Sequence, residues 1–423
     1  MKIITAISLL CLIPAGTLAQ TGWLQQASGT AADLYGLEFL DTEHGWASGA
    51  GGTILRTTDG GATWSPQASG SGDILLDIDF AELSWGLCVG TGGSILRTTN
   101  GGGEWIIVQD GFIGTYHGVD MVGDAVTGYA VGVNGIFQPI VAKTINGGVD
   151  WTFNSFYIDG NEGTLTDVRF IDPAAGFATA VLWNGQGAVV RTTDGGTTWE
   201  PVYTIGAPLY AIDFFDALTG VATGEIGYVH RTEDGGETWE LQVTGGGVAM
   251  SGVAIPDPAV VTIAGELGTI RRTETAGSHW QEQESGTSLI LRDLAFPAVL
   301  TGYAVGDGGV ILKTETGGYD PSSAPDPAAP RLGGLAASPN PFGGSTTLRW
   351  NAPEGSGAVL ELFDVSGRIV RTVVPAGGTR SFTWDGRDGA GKRLAGGVVF
   401  ARLTARSPSG LHASTARLVL ARP

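Results

Sequence analysis

The chain has 423 residues, of which 70 are glycine, and a formal net charge of −19, with 42% hydrophobic and only 15% charged residues. This glycine content excludes a mainly helical protein. A collagen-like protein is excluded as well, because the glycines do not recur with a period of three. The glycine content indicates many tight turns between short strands. Residues 20–330 hold 10 Lys and Arg against 37 Asp and Glu, whereas residues 331–423 hold 12 against 5. Such an acidic body disfavours nucleic acid and anionic lipid as partners.

The first 19 residues have the form of a secretory signal peptide. Lys2 supplies a positive start, ITAISLLCLI is a short apolar core, and TLA is a suitable cleavage site before Gln20. No later segment has the ~20 continuous apolar residues of a spanning helix. We therefore predict a secreted or cell-surface protein without a membrane span.

The cysteines and histidines argue against a metal centre. Cys88 is the only cysteine after residue 19, which excludes an intrachain disulfide and a cysteine-based metal site. The five histidines show no metal-ligand spacing. The sequence indicates neither a metal nor a cofactor.

From residue 56 onwards the chain repeats one phrase, first as RTTDGGATW and last as the weaker KTETGGYDP. Its threonine lies at positions 57, 98, 144, 192, 232, 273 and 314. Before each threonine, alternating apolar residues and short turns predict three antiparallel strands, and a fourth strand follows the phrase. Four strands at this period are typical of a propeller blade. We therefore predict an all-β, seven-bladed β-propeller over residues 20–318.

A tryptophan starts the fourth strand in six of the repeats, at Trp64, Trp105, Trp151, Trp199, Trp239 and Trp280. The seventh repeat lacks it. The missing strand is found at the other end of the chain, because GWLQQASGT from Gly22 matches TWSPQASGS after the first phrase. Trp23 also precedes Phe39 by 16 residues, as Trp64 precedes Phe80. We expect the N-terminal strand to complete the last blade and leave no open sheet edge.

The repeated phrase has the form of an Asp-box, S/T-x-D-x-G-x-x-W, as found in BNR-type repeats. Its acid or amide can bond backbone N–H groups across the turn, its glycines supply positive φ, and its tryptophan can wedge against the neighbouring blade. The acid is present at Asp59, Asp194 and Asp234, becomes Asn100 and Asn146, and is lost at Thr275 and Thr316. Recurrence favours this structural role over phosphate binding, since no helix follows, and over metal ligation.

After a proline-rich linker over residues 319–333, residues 334–423 alternate with period two and predict a β-sandwich. The segments SPNPF, DVSGR and WDGRD give this region a resemblance to the FlgD-type Ig-like domain, which is close to the C-terminal sorting domains of type IX secretion cargo. The resemblance implies surface attachment or export.

The propeller resembles the Ycf48/Hcf136-like group of Asp-box propellers, on GWASGAGGTILRTTDGGATW and GYAVGVNGIF followed by AKTINGGVDW. Members of this group assist photosystem II assembly, through an arginine-rich face. Here most basic residues share one repeat position, which favours a scaffold role: Arg56, Arg97, Lys143, Arg191, Arg231, Arg272 and Lys313. Only Arg169, Arg271 and Arg292 remain elsewhere in the propeller.

Three insertions predict a binding surface on the third and fourth blades. Tyr129 to Thr144 and Phe177 to Thr192 each span 15 residues where other repeats use 11, and the loop between Trp151 and Phe170 is three residues longer than usual. All three fall on the rim opposite the Asp-boxes. They bring together Asn134, Phe137, Gln138, Asp159, Asn161, Glu162, Trp183, Asn184 and Gln186. Aromatics beside amides suit a protein or glycan partner, the alternative being loops without a ligand.

We interpret the chain as a non-catalytic surface or extracellular binding or scaffold protein. The alternative is a carbohydrate-active hydrolase of the sialidase or endoglucanase kind. A sialidase needs three converging arginines, which the three non-repeat arginines support only weakly, and a glycosidase needs two carboxylates at a suitable separation. Glu225, Glu266 and Asp307 occupy equivalent turns, which favours a role as ordinary turn residues.

Overall fold

A computed structural model of the chain describes residues 22–109, 114–122, 126–319, 333–338, 342, 344–351, 357–364, 368–375, 380–394, 397–407 and 410–420. The predicted signal peptide and nearly all of the predicted linker lie outside these residues. Within them, no helix is long and apolar enough to cross a membrane.

The strands of the first four blades follow β1 at Gly22–Gln26. They are β2 Leu34–Phe39, β3 Gly45–Gly49, β4 Thr53–Thr57, β5 Ser65–Ala68, β6 Leu75–Phe80, β7 Gly86–Gly90, β8 Ile95–Thr98, β9 Ile106–Gln109, β10 Gly114–Met121, β11 Gly128–Asn134, β12 Pro139–Thr144, β13 Thr152–Ser155, β14 Gly163–Phe170, β15 Gly176–Leu182, β16 Gly187–Thr192 and β17 Glu200–Ile205.

Three further blades complete this part of the chain. Their strands are β18 Leu209–Phe214, β19 Gly220–Gly224, β20 Tyr228–Thr232, β21 Glu240–Val243, β22 Met250–Asp257, β23 Val260–Gly265, β24 Ile270–Thr273, β25 Gln281–Gln283, β26 Leu291–Ala295, β27 Gly302–Gly306 and β28 Ile311–Gly318. One-turn 3-10 helices connect the second and third strands of four blades, at Ala50–Gly52, Glu225–Gly227, Glu266–Gly268 and Asp307–Gly309.

These strands form seven antiparallel four-stranded sheets, as the repeats predict. The first strand of each blade contacts the first strands of both neighbours, so β2, β6, β10, β14, β18, β22 and β26 surround a central axis. The Asp-box turns lie on one rim. We call the opposite rim, formed by the loops between blades and the turns between second and third strands, the loop rim.

The ring is closed by β1. It pairs with β28 in the sheet order β1-β28-β27-β26, so the N-terminal strand is the outer strand of the seventh blade. The indole of Trp23 is buried and lies edge-to-face against Phe296, with 5.9 Å between the ring centroids. The predicted closure is confirmed.

The apolar core lies between neighbouring blades. At the junction of the first and second blades, Phe80 stacks on Trp46 at 3.7 Å between centroids and meets Trp105 edge-to-face at 5.9 Å. Similar clusters fill the other junctions. Because the packing is between blades, the axis itself is left open.

The C-terminal region is a two-sheet sandwich. Its strands are β29 Gly333–Ser338, β30 Thr346–Asn351, β31 Gly357–Asp364, β32 Ile369–Val373, β33 Ser381–Trp384, β34 Gly397–Ser407 and β35 Gly410–Leu420. The sheet orders are β29-β30-β33 and β32-β31-β34-β35. Leu348, Trp384 and Leu403 are buried in the core between the sheets.

One outward face of this sandwich packs against the propeller. Alternation along β31 and β34 points Phe363 and Phe400 away from the sandwich core, and both are buried against Ala217 and Leu218 in the turn between β18 and β19. Beside them, Arg402 lies 3.6 Å from the buried carboxylate of Asp216.

Candidate functional site

The Asp-box turns are held together by their acid or amide side chain. In the first repeat, Asp59 Oδ1 accepts hydrogen bonds from Thr57 Oγ1 and from the backbone N–H of Thr63, both at 2.8 Å. The Thr63 hydroxyl also donates to Asp59 Oδ2, and these bonds lower the pKa of the Asp59 carboxyl. Gly60 and Gly61 have φ of 64° and 80°, where a side chain would be strained.

The other boxes repeat this geometry. Asn100, Asn146, Asp194 and Asp234 accept the same pair of hydrogen bonds from a threonine hydroxyl and a backbone N–H. The box tryptophans Trp64, Trp105, Trp199 and Trp239 lie edge-to-face against the phenylalanine that ends the first strand of their own blade, and Trp151 and Trp280 pack against neighbouring apolar clusters. The geometry assigns these side chains to the scaffold.

The basic residue of each phrase also serves the scaffold. Lys143 Nζ donates to the backbone oxygen of Gly195 in the next blade at 2.6 Å, and Arg231 donates to that of Pro258 at 2.7 Å. Arg56 lies 5.5 Å from the ring centroid of Trp46. Because these cations contact carbonyl groups of the next blade or an aromatic ring of their own blade, their role is packing and not an arginine-rich binding face.

The structure brings the three insertions of the third and fourth blades together on the loop rim. The backbone N–H of Gly163 donates to the carbonyl of Phe137 at 3.1 Å, and that of Trp183 donates to the carbonyl of Glu162 at 3.1 Å. The loop between the two blades is therefore bonded to the turn on each side of it.

Amide side chains stabilise this cluster from within. Asn134 Oδ1 accepts the backbone N–H of Gln138 at 3.0 Å, and Asn184 Oδ1 accepts that of Gln186 at 3.0 Å. Asn184 Nδ2 also donates to Asn161 Oδ1 at 3.2 Å across the two blades. Much of the predicted amide set is thus engaged in shaping the loops.

The aromatic members face solvent. Phe137 is 59% exposed and Trp183 51% exposed, and their rings meet edge-to-face with 6.3 Å between centroids. Phe137 has φ of 64° and Asp159 has φ of 49°, in the left-handed region that non-glycine residues seldom occupy. We call the exposed pair Phe137 and Trp183, together with the adjoining exposed residue Ile136, the aromatic patch.

An axial channel was not predicted. Its upper part, which we call the mouth cavity, opens at the loop rim and has a volume of about 390 Å³, with Tyr35, His117, Tyr210, Glu225, Glu266 and Arg292 among its lining residues. A second cavity of about 330 Å³ continues below it. Asp77, Asp167 and Asp293 line both cavities.

These three acids also tie the blades together. The register between the first and second strands of each blade shifts near the start of the first strand. The position just after this shift is Gly36, Asp77, Gly118, Asp167, Ala211, Gly252 and Asp293 in turn. Each aspartate accepts a backbone N–H from the following blade, as Asp167 does from Ile212 at 2.8 Å. A Cβ on Gly118 would lie 2.9 Å from the Cα of Asp167, so glycine is needed beside the acid.

A second layer of charge lies deeper, around Arg169. Its guanidinium is 3.3 Å from Asp120 and 3.4 Å from Asp213, and Glu38 and Asp79 stand close by. Burial raises the pKa of Asp120 to about 7 and, in the upper layer, that of Asp167 to about 8 and that of Asp293 to about 7. In the described ranges, no group of three or more His, Cys, Asp or Glu side chains is arranged to hold a metal ion.

The fold and these sites define an Asp-box β-propeller of seven blades followed by an Ig-like sandwich. Residues 337–408 match the family described as the FlgD Ig-like domain. No curated protein matches the sequence.

Solved structures match the propeller. One titled "YCF48 bound to D1 peptide" has a TM-score of 0.58 at 22% identity, covering 70% of this chain and 98% of its own. YCF48 from Cyanidioschyzon merolae has a TM-score of 0.56 at 22% identity, covering 69% and 98%. The WD40 propeller domain of Doa1 has a TM-score of 0.52 at 11% identity, covering 70% and 97%. The chain therefore has the fold of the Ycf48 propellers, joined to a FlgD-type Ig-like region.

Proposed function

We propose that the protein is a non-catalytic binding protein that holds a polypeptide partner against the aromatic patch. The observation that carries this proposal is the exposed edge-to-face pair of Phe137 and Trp183, fixed by hydrogen-bonded loops. Rigid aromatic side chains give a large contact area at little entropic cost, which is why they dominate many protein interfaces. An apolar cluster that the chain exposes in this way is better explained by a partner than by folding.

The choice of a polypeptide over a glycan is supported by the fold comparison. The structure titled "YCF48 bound to D1 peptide" is that of a propeller with the same fold and a bound peptide. The patch is also mainly apolar at its centre, since the amides around it bond to one another and to the loop backbone. An apolar centre with a polar rim is typical of protein interfaces.

A hydrolase is disfavoured by the contacts of the candidate acids. Glu225 accepts the hydroxyl of Tyr210 at 2.7 Å, and the Asp307 carboxylate pairs with Arg292 at 2.8 Å. The Asp-box carboxylates are committed to their own turns. These contacts support binding without turnover.

We further propose that the protein acts outside the cytoplasm, at the cell surface or in the medium. The signal-like first 19 residues and the FlgD-type region support this location. Cell fractionation with N-terminal sequencing tests it, with a mature start at Gln20 expected. A cytoplasmic protein that keeps Met1 would contradict it.

The binding proposal is tested with peptide and glycan arrays probed by the purified chain, alongside chromogenic glycosides. We expect peptides to be bound and no glycoside to be hydrolysed. Peptide binding should be lost in a Phe137→Ser/Trp183→Ser variant. It should persist in an Ile145→Ser/Val149→Ser variant, which removes two exposed apolar side chains from the Asp-box rim.

Each other outcome has a distinct meaning. Equal binding by the two variants would remove the aromatic patch from the interface. Binding of glycans and of no peptide would show that the partner is a glycan. Hydrolysis of a glycoside would show that the protein is an enzyme.

A further inference from the structure

Besides the turn that holds Phe137, two turns on the loop rim hold a bulky apolar residue in a left-handed backbone conformation. In the first and seventh blades this position is Gly51 and Gly308, with φ of 63° and 66°. In the fifth and sixth blades it is Ile226 and Leu267, with φ of 55° and 56°. A β-branched residue such as isoleucine is a clear outlier in this region. The chain thus accepts an unfavourable conformation where its own sister turns use glycine.

Both side chains are partly or largely exposed to solvent. Ile226 is 42% exposed and Leu267 is 69% exposed, and Leu289 in the next interblade loop is exposed as well. Backbone strain at exposed apolar residues is most simply explained by a contact outside the chain. This apolar surface, Ile226, Leu267 and Leu289, is called the apolar rim below.

The apolar rim borders an acidic opening. Glu225 and Glu266 directly precede Ile226 and Leu267, and both line the mouth cavity of about 390 Å³. Five carboxyl groups line that cavity: Asp77, Asp167, Glu225, Glu266 and Asp293. Among its lining residues in the described chain, Arg292 is the one arginine or lysine, and it already pairs with Asp307 at 2.8 Å.

We infer that the apolar rim and the mouth cavity together bind a basic, apolar segment of a partner polypeptide. A lysine or arginine of the partner enters the mouth between Glu225 and Glu266, and an adjacent apolar residue packs on Ile226 and Leu267. The inference rests on the proposed function, because it assumes a polypeptide partner on the loop rim and adds that this partner is basic. Charge complementarity selects this occupant, since Glu225 and Glu266 would repel an acidic segment at the mouth.

The test uses fluorescence anisotropy on the full chain with three labelled peptides, each of four tripeptide repeats. They are Gly-Lys-Leu, Gly-Gln-Leu and Gly-Glu-Leu repeats, which share apolar content and differ in charge. We expect saturable binding of the lysine peptide, at least tenfold weaker binding of the glutamine peptide and none of the glutamate peptide. Added salt should weaken the binding of the lysine peptide more than that of the other two peptides.

Two sets of variants locate the contact. The Glu225→Gln/Glu266→Gln variant should bind the lysine peptide at least tenfold more weakly, and this binding should depend less on salt. Glu104→Gln/Glu240→Gln, which removes two exposed carboxylates from the Asp-box side of the outer strands, should not. The Ile226→Gly/Leu267→Gly variant should have a higher melting temperature, because glycine relieves the left-handed strain. It should nevertheless bind the lysine peptide more weakly. Loss of binding in a more stable variant cannot be attributed to misfolding.

The outcomes separate this inference from the proposed function. Loss with the Phe137→Ser/Trp183→Ser variant but not with Glu225→Gln/Glu266→Gln would keep the aromatic patch and overturn the inference. The reverse pattern would keep the inference and overturn the patch. Equal binding of the three peptides, or no saturable binding of any, would overturn the inference. It would also be overturned if the chain self-associates through its basic C-terminal region and this self-association competes with the lysine peptide.

Discussion

The indole N–H of Trp23 donates a hydrogen bond to the side-chain oxygen of Gln283, 260 residues further along the chain, at 2.8 Å. Trp105 makes the same bond to Gln67 in the preceding blade, at 3.1 Å. Trp23 therefore does for the seventh blade what a box tryptophan does for its own, although it comes from the other end of the chain. The two ends of the propeller sequence are thus joined by the same hydrogen bond that links the first and second blades.

Replacing Trp23 should destabilise the whole ring. Trp23 is 1% exposed, so a Trp23→Ala variant leaves a large cavity at the closure and should lose about 3–5 kcal/mol of unfolding free energy. Leu24→Ala on the same strand is the control, because Leu24 is 41% exposed and should cost less than about 1 kcal/mol. Urea unfolding measures both, and similar losses would show that β1 does not close the ring.

The Asp-box should tolerate an amide but not an alanine. Asp194 accepts hydrogen bonds from Thr192 and from the backbone N–H of Thr198, so Asp194→Ala should cost about 1–3 kcal/mol. Asp194→Asn should cost less than about 0.5 kcal/mol, because Asn100 and Asn146 already fill the same position. Thermal melts with and without EDTA test this. A stabilising effect of added cation that Asp194→Asn removes would favour metal ligation.

The repeated sequence was enough to predict the propeller and its closure. The spacing from Trp23 to Phe39 copies that from Trp64 to Phe80, and equal spacing in a repeat means an equivalent position in space. The meeting of the insertions at Phe137 and Trp183 follows in the same way, because consecutive blades are neighbours. What these residues bind is not a property of the repeat.

The channel escaped prediction because its signal lies between blades. Asp167 occupies the repeat position of Gly118, and the pair makes sense only once β10 and β14 are known to lie side by side. An alignment of the seven repeats at this position would have shown that each aspartate is preceded by a glycine in the blade before it. The left-handed conformation of Ile226 escaped prediction for another reason. The only sequence signal for it is the glycine that stands at the same position in the first and seventh blades.

The channel carboxyls predict that stability falls as pH rises from about 4 towards 8. The pKa of Asp167 is raised to about 8 and those of Asp293 and Asp120 to about 7, from 3.8. The folded protein therefore keeps protons that the unfolded chain has released. Stability is lost as pH rises towards these values, by about 1.4 kcal/mol per pH unit for each retained proton. The histidines act oppositely only below about 6.5, because burial lowers the pKa of His117 and His230 to about 4.

Melting temperatures between pH 6.5 and 8.5 check this sign. The melting temperature of the wild-type chain should fall between pH 6.5 and about 8 and level off above that. Asp167→Asn carries no titrating proton, so its curve should be flatter, although its absolute stability should drop because the amide cannot accept from both Val168 and Ile212. A wild-type melting temperature that rises with pH would contradict the raised pKa values.

The contact between the propeller and the sandwich should depend on a single apolar turn. Leu218 is 4% exposed and is buried in one cluster with Phe363 and Phe400, and Arg402 pairs with Asp216 beside it. Leu218→Ser should therefore release the sandwich, with a larger radius of gyration by small-angle scattering and little change in propeller stability. Leu83→Ser is the matched control, since Leu83 lies in the corresponding turn of the second blade and is 45% exposed. If both variants scatter like the wild type, the covering of Leu218 contributes nothing to holding the two parts together, and Arg402→Ala then becomes the variant to compare.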